Sequence, residues 1–116
     1  MDFVNANGLK KDSDFRNVYK RGKSFANRLL VMYVVKNNLD INRVGFSISK
    51  KIGKAIVRNK VKRRMRESFR LYSNDNNLKV GYDFVFIARI PISESDFAST
   101  QKSMINLFKK ANIVRR

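Results

Sequence analysis

The chain has no cysteine, no histidine and no tryptophan, a single proline and only nine acidic residues among 116. Without cysteine there is no disulfide and no thiolate metal ligand. Without histidine as well, the usual general base, the thiol nucleophile and the commonest zinc ligands are missing. The acids are scattered, and their close pairs, Asp12/Asp14 and Glu94/Asp96, stand where helices should begin. Capping and dipole complementation explain such pairs better than a catalytic dyad does. No catalytic residue and no metal ligand is therefore assigned. No apolar run approaches the roughly 18 residues of a membrane span, and the opening MDFVNANGLKK has no signal-peptide core. These absences suit a cytoplasmic protein.

What is present is positive charge. Against the nine acids stand 26 Lys and Arg, a formal net charge of +17. Such a balance repels itself unless a polyanion neutralises it, so nucleic acid or an anionic membrane surface is the expected partner. The hydrophobic fraction of 43 % is enough for one small core, and the length suits one domain over residues 1–116. With no catalytic side chains in hand, the chain is a poor candidate for a self-contained nuclease.

Charge and apolar periodicity coincide in Ser49 to Arg70, SKKIGKAIVRNKVKRRMRESFR, which holds ten of the 26 basic residues and one acid, Glu67. Val57, Val61, Met65 and Phe69 recur every fourth residue. With Ser68 and Tyr72 they form a stripe about 120° wide on a helix from about Ala55 to Tyr72. Lys60, Lys62, Arg63, Arg64, Arg66 and Arg70 occupy the remainder, with Arg58 at the stripe edge. Like charges at i, i+4 each cost a few tenths of a kcal/mol, about 0.2–0.5. A row of them makes sense against a polyanion, not for stability.

The flanking elements follow from pattern. Residues 1–8 read as a loose tail. Phe15, Val18 and Tyr19 form a helical stripe behind an Asp12-Ser13-Asp14 cap cluster, and Gly22 reads as a left-handed stop. Leu30 to Val35 is a strand apolar on both faces, hence covered on both sides. Arg43 to Ser49 alternates with period two, and the short polar loop before it predicts antiparallel pairing with the preceding strand. Tyr82 to Arg89 is a third strand, closed by Pro91. A last helix carries Phe97, Met104, Phe108 and Ala111. A short extra strand fits near 24–27 or 40–43. The expected fold is α+β: a two-layer sandwich of a small, mostly antiparallel sheet with helices packed on it, in the order αβββαβα.

Four ordered motifs resemble the bacterial ribonuclease P protein component. Ser49 to Arg66 is similar to that family's S-K-K-x-G-x-A-x-x-R-N core followed by K-R-x-x-R, with Arg58, Asn59, Lys62, Arg63 and Arg66 in register. Leu9-Lys10-Lys11 with Asp14-Phe15, then Ser24 with Ala26-Asn27-Arg28, then Ile87-Ala88-Arg89 with Pro91, resemble its other landmarks. The likeness covers roughly residues 9–110. Two positions depart from it: Lys60 replaces the second arginine of R-N-R, which removes a bidentate fork, and Lys54 stands where Asn is common.

The resemblance implies the protein subunit of a ribonucleoprotein endonuclease that removes the 5′ leader of precursor tRNA. Its partners would be the ribonuclease P RNA and precursor tRNA, with no DNA and no membrane. The RNA would hold the catalytic centre and its Mg²⁺, and the protein side chains no cofactor. It also implies a left-handed crossover between two parallel strands. The RNA-binding set expected is Lys50, Lys51, Lys54, Arg58, Asn59, Lys60, Lys62, Arg63, Arg66 and Arg70. The leader cleft expected is Phe15, Tyr19, Val31 and Tyr33, where aromatic faces can stack unpaired bases. A ribosomal or other structural RNA-binding protein is the alternative. It accounts for the charge and the helix but not for the combined motifs. A small DNA-binding protein and a membrane-surface helix are weaker readings; the latter lacks Trp, and the sheet needs its apolar stripe.

Overall fold

The two apolar faces of the strand at Leu30 decide the architecture, because each must be covered by something different. The computed structural model describes residues 2–3, 8–9, 11–75 and 77–115. Its elements are β1 (Asp2–Phe3), α1 (Asp12–Arg21), β2 (Lys23–Ala26), β3 (Leu30–Lys36), β4 (Arg43–Ser47), α2 (Ala55–Asn74), β5 (Tyr82–Ala88) and α3 (Phe97–Lys110). Single 3-10 turns sit at Lys50–Ile52 and Ile90–Glu94. The four longer strands and three helices follow the expected order αβββαβα. The extra strand is β2, at the first of the two places left open for it.

The sheet order is β1-β4-β5-β3-β2. β4 and β5 run parallel, joined through α2, and all other pairs are antiparallel. The main core lies on one face, where Leu30, Met32, Val34, Val44, Phe46, Phe84 and Phe86 meet Val61, Met65 and Phe69 of α2 and Met104, Leu107 and Phe108 of α3. Phe69 is its hub, meeting Phe84, Phe86 and Phe108 edge to face at centroid distances of 5.5, 6.1 and 6.1 Å. Such pairs contribute beyond area burial, by about 0.5–1.5 kcal/mol each. The second face carries a smaller cluster: Leu9, Phe15 and Val18 on Val85, with Tyr19, Tyr33, Val35 and Ile87 partly buried around it. α1 therefore covers part of the face that α2 and α3 leave.

Three expectations change. β3 and β4 do not pair: β5 lies between them, antiparallel to one and parallel to the other. A six-residue loop permits a hairpin but cannot outweigh β5, whose residues 83–86 are all buried. Gly22 is extended, with φ −79° and ψ 158°. Glycine is needed there for close approach: a Cβ would run into the Val18 carbonyl oxygen and lie 3.0 Å from that of Val34. The segment expected as a loose tail supplies β1, with Asp2 opposite Phe46 and Phe3 opposite Gly45, and a bridge from Gly8 to Val44. The outer edge of β4 offers unpaired backbone groups that a short segment can satisfy. Residues 1 and 4–7 of that segment lie outside the described residues.

Candidate nucleic-acid interface

The basic segment leaves β4 at Ser47, makes the 3-10 turn Lys50–Ile52 and enters α2 through Gly53 and Lys54. Gly53 has φ +152°, and a Cβ there would stand 3.2 Å from Val57 Cβ. The turn thus depends on glycine both for conformation and for space. Ile52 is buried and anchors it, while Lys50, Lys51 and Lys54 are exposed. α2 begins with no side-chain cap and no acid in its first turn. The open N–H groups and positive dipole end are thus met by lysines of the same sign. That arrangement opposes helix stability and favours an approaching anion.

Along α2 the apolar stripe is in the core, with Val61, Met65, Ser68 and Phe69 buried. Asn59, Lys60, Arg63 and Arg70 are exposed and Arg58, Lys62 and Arg66 half-buried, so every residue of the expected RNA-binding set reaches the surface. The cations are not equivalent. Arg58 Nε donates to the Gly53 carbonyl at 3.2 Å, steadying the turn that carries the lysines. Arg70 pairs with Glu67 one turn back, donating from Nε to Oε2 at 3.1 Å. This pair holds the Glu67 carboxyl below its ordinary range. Arg64 turns the other way: its guanidinium donates to the Ser95 carbonyl at 2.7 Å and ties α2 to the start of α3.

The second sheet face carries the residues expected of a cleft. Registers align Ser24, Tyr33, Val85 and Gly45 in one row and Ala26, Val31, Ile87 and Ser47 in the next. α1 sits on the first row. A Cβ at Gly45 would overlap the Phe15 ring, so glycine there makes room for the ring against the sheet. Tyr19 meets Tyr33 with ring centroids 5.1 Å apart and planes at 86°. Burial pushes the Tyr19 phenol above its ordinary value, a hydrogen bond with the Ser47 side chain lowers it in part, and Tyr33 adds to the rise. The second row stays partly open: Val31, Ile87 and Ser47 are half-buried and Ala26 exposed. Ser47 is three residues before Lys50. Extended chain covers that separation in about 10 Å, so the open row runs toward the basic turn.

Of the cleft residues read from sequence, Tyr19, Val31 and Tyr33 share this face and keep exposed surface. Phe15 does not. It is 2 % exposed, its ring is shut between α1 and Gly45, and it has no face to offer a base. Ser47 and Ile87 complete the row and were not singled out. Strand alternation places both opposite the Phe46 and Phe86 face, but only the β3–β5 register brings Ile87 beside Val31 and only the β4–β5 register adds Ser47 next to it.

The remaining motifs meet at one corner. Asn27 Nδ2 donates to the Ser103 carbonyl at 2.9 Å and to Asn106 Oδ1 at 3.0 Å. Its Oδ1 accepts from the Leu29 and Leu30 amides and from Ser103 Oγ. Arg89 donates from its guanidinium to the Asn27 carbonyl at 2.8 Å and from its amide to Leu29. The Ala26-Asn27-Arg28 and Ile87-Ala88-Arg89 motifs are therefore two halves of one joint that fixes the end of the open row.

Three acids are engaged within the fold. Asp83, 2 % exposed, takes Arg43 through Nε at 2.8 Å and Nη2 at 2.6 Å, and Asn37 at 2.9 Å. Asp96 caps α3 by accepting from the Ser99 amide at 2.8 Å. Asp14 reaches back to the amide of Lys11, the N-cap of α1, at 3.2 Å. The arrangement can bind and orient a polyanion.

The sequence model of the family described as Ribonuclease P matches residues 3–112. The ribonuclease P protein component of Clostridioides difficile (strain 630) is 55 % identical over 113 residues, 97 % of this chain and 98 % of that protein. Among solved structures, the Staphylococcus aureus RNase P protein at 2.0 Å superposes with a TM-score of 0.85 at 37 % identity, covering 96 % of this chain and all of that one. The Thermotoga maritima RNase P protein gives 0.79 at 36 % identity, covering 89 % and 96 %.

Proposed function

The chain belongs to the ribonuclease P protein family, and from that premise we propose that its two surfaces divide the work of a precursor-tRNA processing enzyme. Membership makes it a subunit of the ribonuclease P endoribonuclease. In this reading the turn Lys50–Lys54 and the outward side of α2 bind the RNA subunit. Arg58, Asn59, Lys60, Lys62, Arg63, Arg66 and Arg70 supply the contacts. Asn59 can both donate and accept, which bare phosphate contact does not require. Lys60 acts as a point charge where a guanidinium would fork.

The open row of the sheet takes the unpaired 5′ leader of precursor tRNA. Tyr19 and Tyr33 offer ring surface, and Val31, Ile87 and Ser47 form the floor. Stacking tolerates varied sequence and is worth about 1–3 kcal/mol per base. The chemistry, with its Mg²⁺, belongs to the RNA subunit, and the holoenzyme works in the cytoplasm.

One observation carries the reading: α2 buries Val61, Met65, Ser68 and Phe69 of its apolar stripe and turns an almost single-signed row outward, beside a half-open aromatic row. Reconstitution with a bacterial ribonuclease P RNA tests it. The protein should stimulate precursor-tRNA cleavage at low Mg²⁺. Absence of stimulation would sink the assignment, and cleavage by the protein alone would contradict the placement of the chemistry in RNA.

A further inference from the structure

β2 is shorter than the strand it borders. It pairs with β3 only from Val31 to Val34, whereas β3 continues to Lys36 along β5. Val35 and Lys36 therefore have no strand neighbour on that side. The end of α1 and the residues after α3 wall the gap, and a cavity of about 580 Å³ opens there. Its rim carries Arg21, Lys23, Lys36 and Lys110, and its lining includes no acid. Phe25 and Tyr82 line it as half-buried rings. Lys110 is held in place by donating to the Ala26 carbonyl at 3.0 Å.

We propose that this notch is a nucleotide-binding site, with a planar base against Phe25 and Tyr82 and its phosphate among the rim cations. Helix dipoles explain two of these cations: Arg21 and Lys110 belong to the last turns of α1 and α3, where positive charge offsets the carbonyl ends. They do not explain Lys23 and Lys36, which lie on strands. Edge protection is a reason for lysines on a border strand, but it asks for no cavity and no rings. An acid-free cationic rim over aromatic surface is the combination that holds unpaired nucleotides. The site stands on residues outside α2 and outside the Tyr19–Tyr33 row, and it holds even if the reading of those surfaces fails.

The test is amide-shift mapping on the full ¹⁵N-labelled chain, titrated with AMP, UMP, inorganic phosphate and a short single-stranded RNA. Nucleotide should shift Lys23, Phe25, Lys36 and Asn112 saturably. Lys23→Glu/Lys36→Glu should abolish those shifts, whereas Arg63→Glu/Arg66→Glu on α2 should leave them. Phe25→Leu should weaken nucleotide about tenfold and phosphate not at all. If the charge-reversed chain fails to fold, Phe25→Leu decides. Notch shifts at far lower RNA than mononucleotide concentration identify a strand as the ligand, and equal affinities identify a free nucleotide; both outcomes support the site. Shifts confined to α2 and the cleft overturn it, as does phosphate binding as tightly as nucleotide.

Discussion

Tyr19 and Tyr33 come from different elements and meet edge to face, their centroids 5.1 Å apart. One ring is carried by α1 and the other by β3, so the pair reports the seating of the helix on the sheet and also edges the proposed leader cleft. Tyr33→Ala removes one ring without touching the main core. Precursor tRNA should lose about 1–3 kcal/mol of affinity and mature tRNA much less, as compared by equilibrium binding to the holoenzyme. Equal losses would assign Tyr33 to packing alone.

The same pair has a pH signature. Burial raises the Tyr19 phenol above its ordinary value. The folded state thus prefers the protonated form, and this contribution is complete below the unfolded tyrosine value of about 10. It is lost as pH rises through the higher folded value. In an ultraviolet phenolate titration one tyrosine should ionise late, and Tyr19→Phe should remove that step. If Tyr19→Phe leaves the high-pH end of the titration unchanged, the burial account of Tyr19 is wrong.

Arg64 and Arg66 are two residues apart and should behave differently. Arg66→Ala should lower affinity for the RNA subunit and flatten its salt dependence by roughly one phosphate contact, with little change in Tm. Arg64→Ala breaks the bond to the Ser95 carbonyl. It should cost about 1–3 kcal/mol of stability, seen as a lower urea midpoint at unchanged slope. Matching salt slopes and matching midpoints for the two variants would refute the division.

Phe15 and Gly45 form a matched pair of full and empty volume. Phe15→Ala should destabilise by about 3–5 kcal/mol through the cavity it leaves. Gly45→Ala should cost about 1–3 kcal/mol through overlap with the ring. Combined as Gly45→Ala/Phe15→Leu, the penalties should be less than additive, because a smaller side chain makes room for the methyl. Strict additivity in denaturant titrations would mean that the two residues do not share one space.

Much of this was readable from local pattern. The four-residue spacing of Val57, Val61, Met65 and Phe69 located α2 and its buried side, and the strand at Leu30 began where its β-branched run begins. Alternation also assigned faces correctly: Leu30, Met32 and Val34 went one way and Val31, Tyr33 and Val35 the other. What failed depends on partners distant in sequence. Nothing within residues 30–49 says that β5 will come between β3 and β4. Glycine at 22 is required by the carbonyls of Val18 and Val34, not by its own φ. Phe15 and Tyr19 lie on one helical stripe, yet only the sheet determines that the first is sealed and the second half-open. Arg64 looks like its basic neighbours until Ser95 is beside it.

The insertion of β5 between β3 and β4 has a consequence for how the chain is made. A nascent chain emerges from its N-terminus, and the two strands already out have no common partner until residues 82–88 follow. Before that, the apolar stripe of α2 has no Phe84 or Phe86 to lie on, and β3 and β4 each keep an open edge. Fragments ending short of Tyr82 should therefore hold no sheet beyond the separate β2–β3 and β1–β4 pairs. The central strand acts as the latch of the fold, and it arrives after the segment Ser49–Arg70 that carries ten of the 26 basic residues.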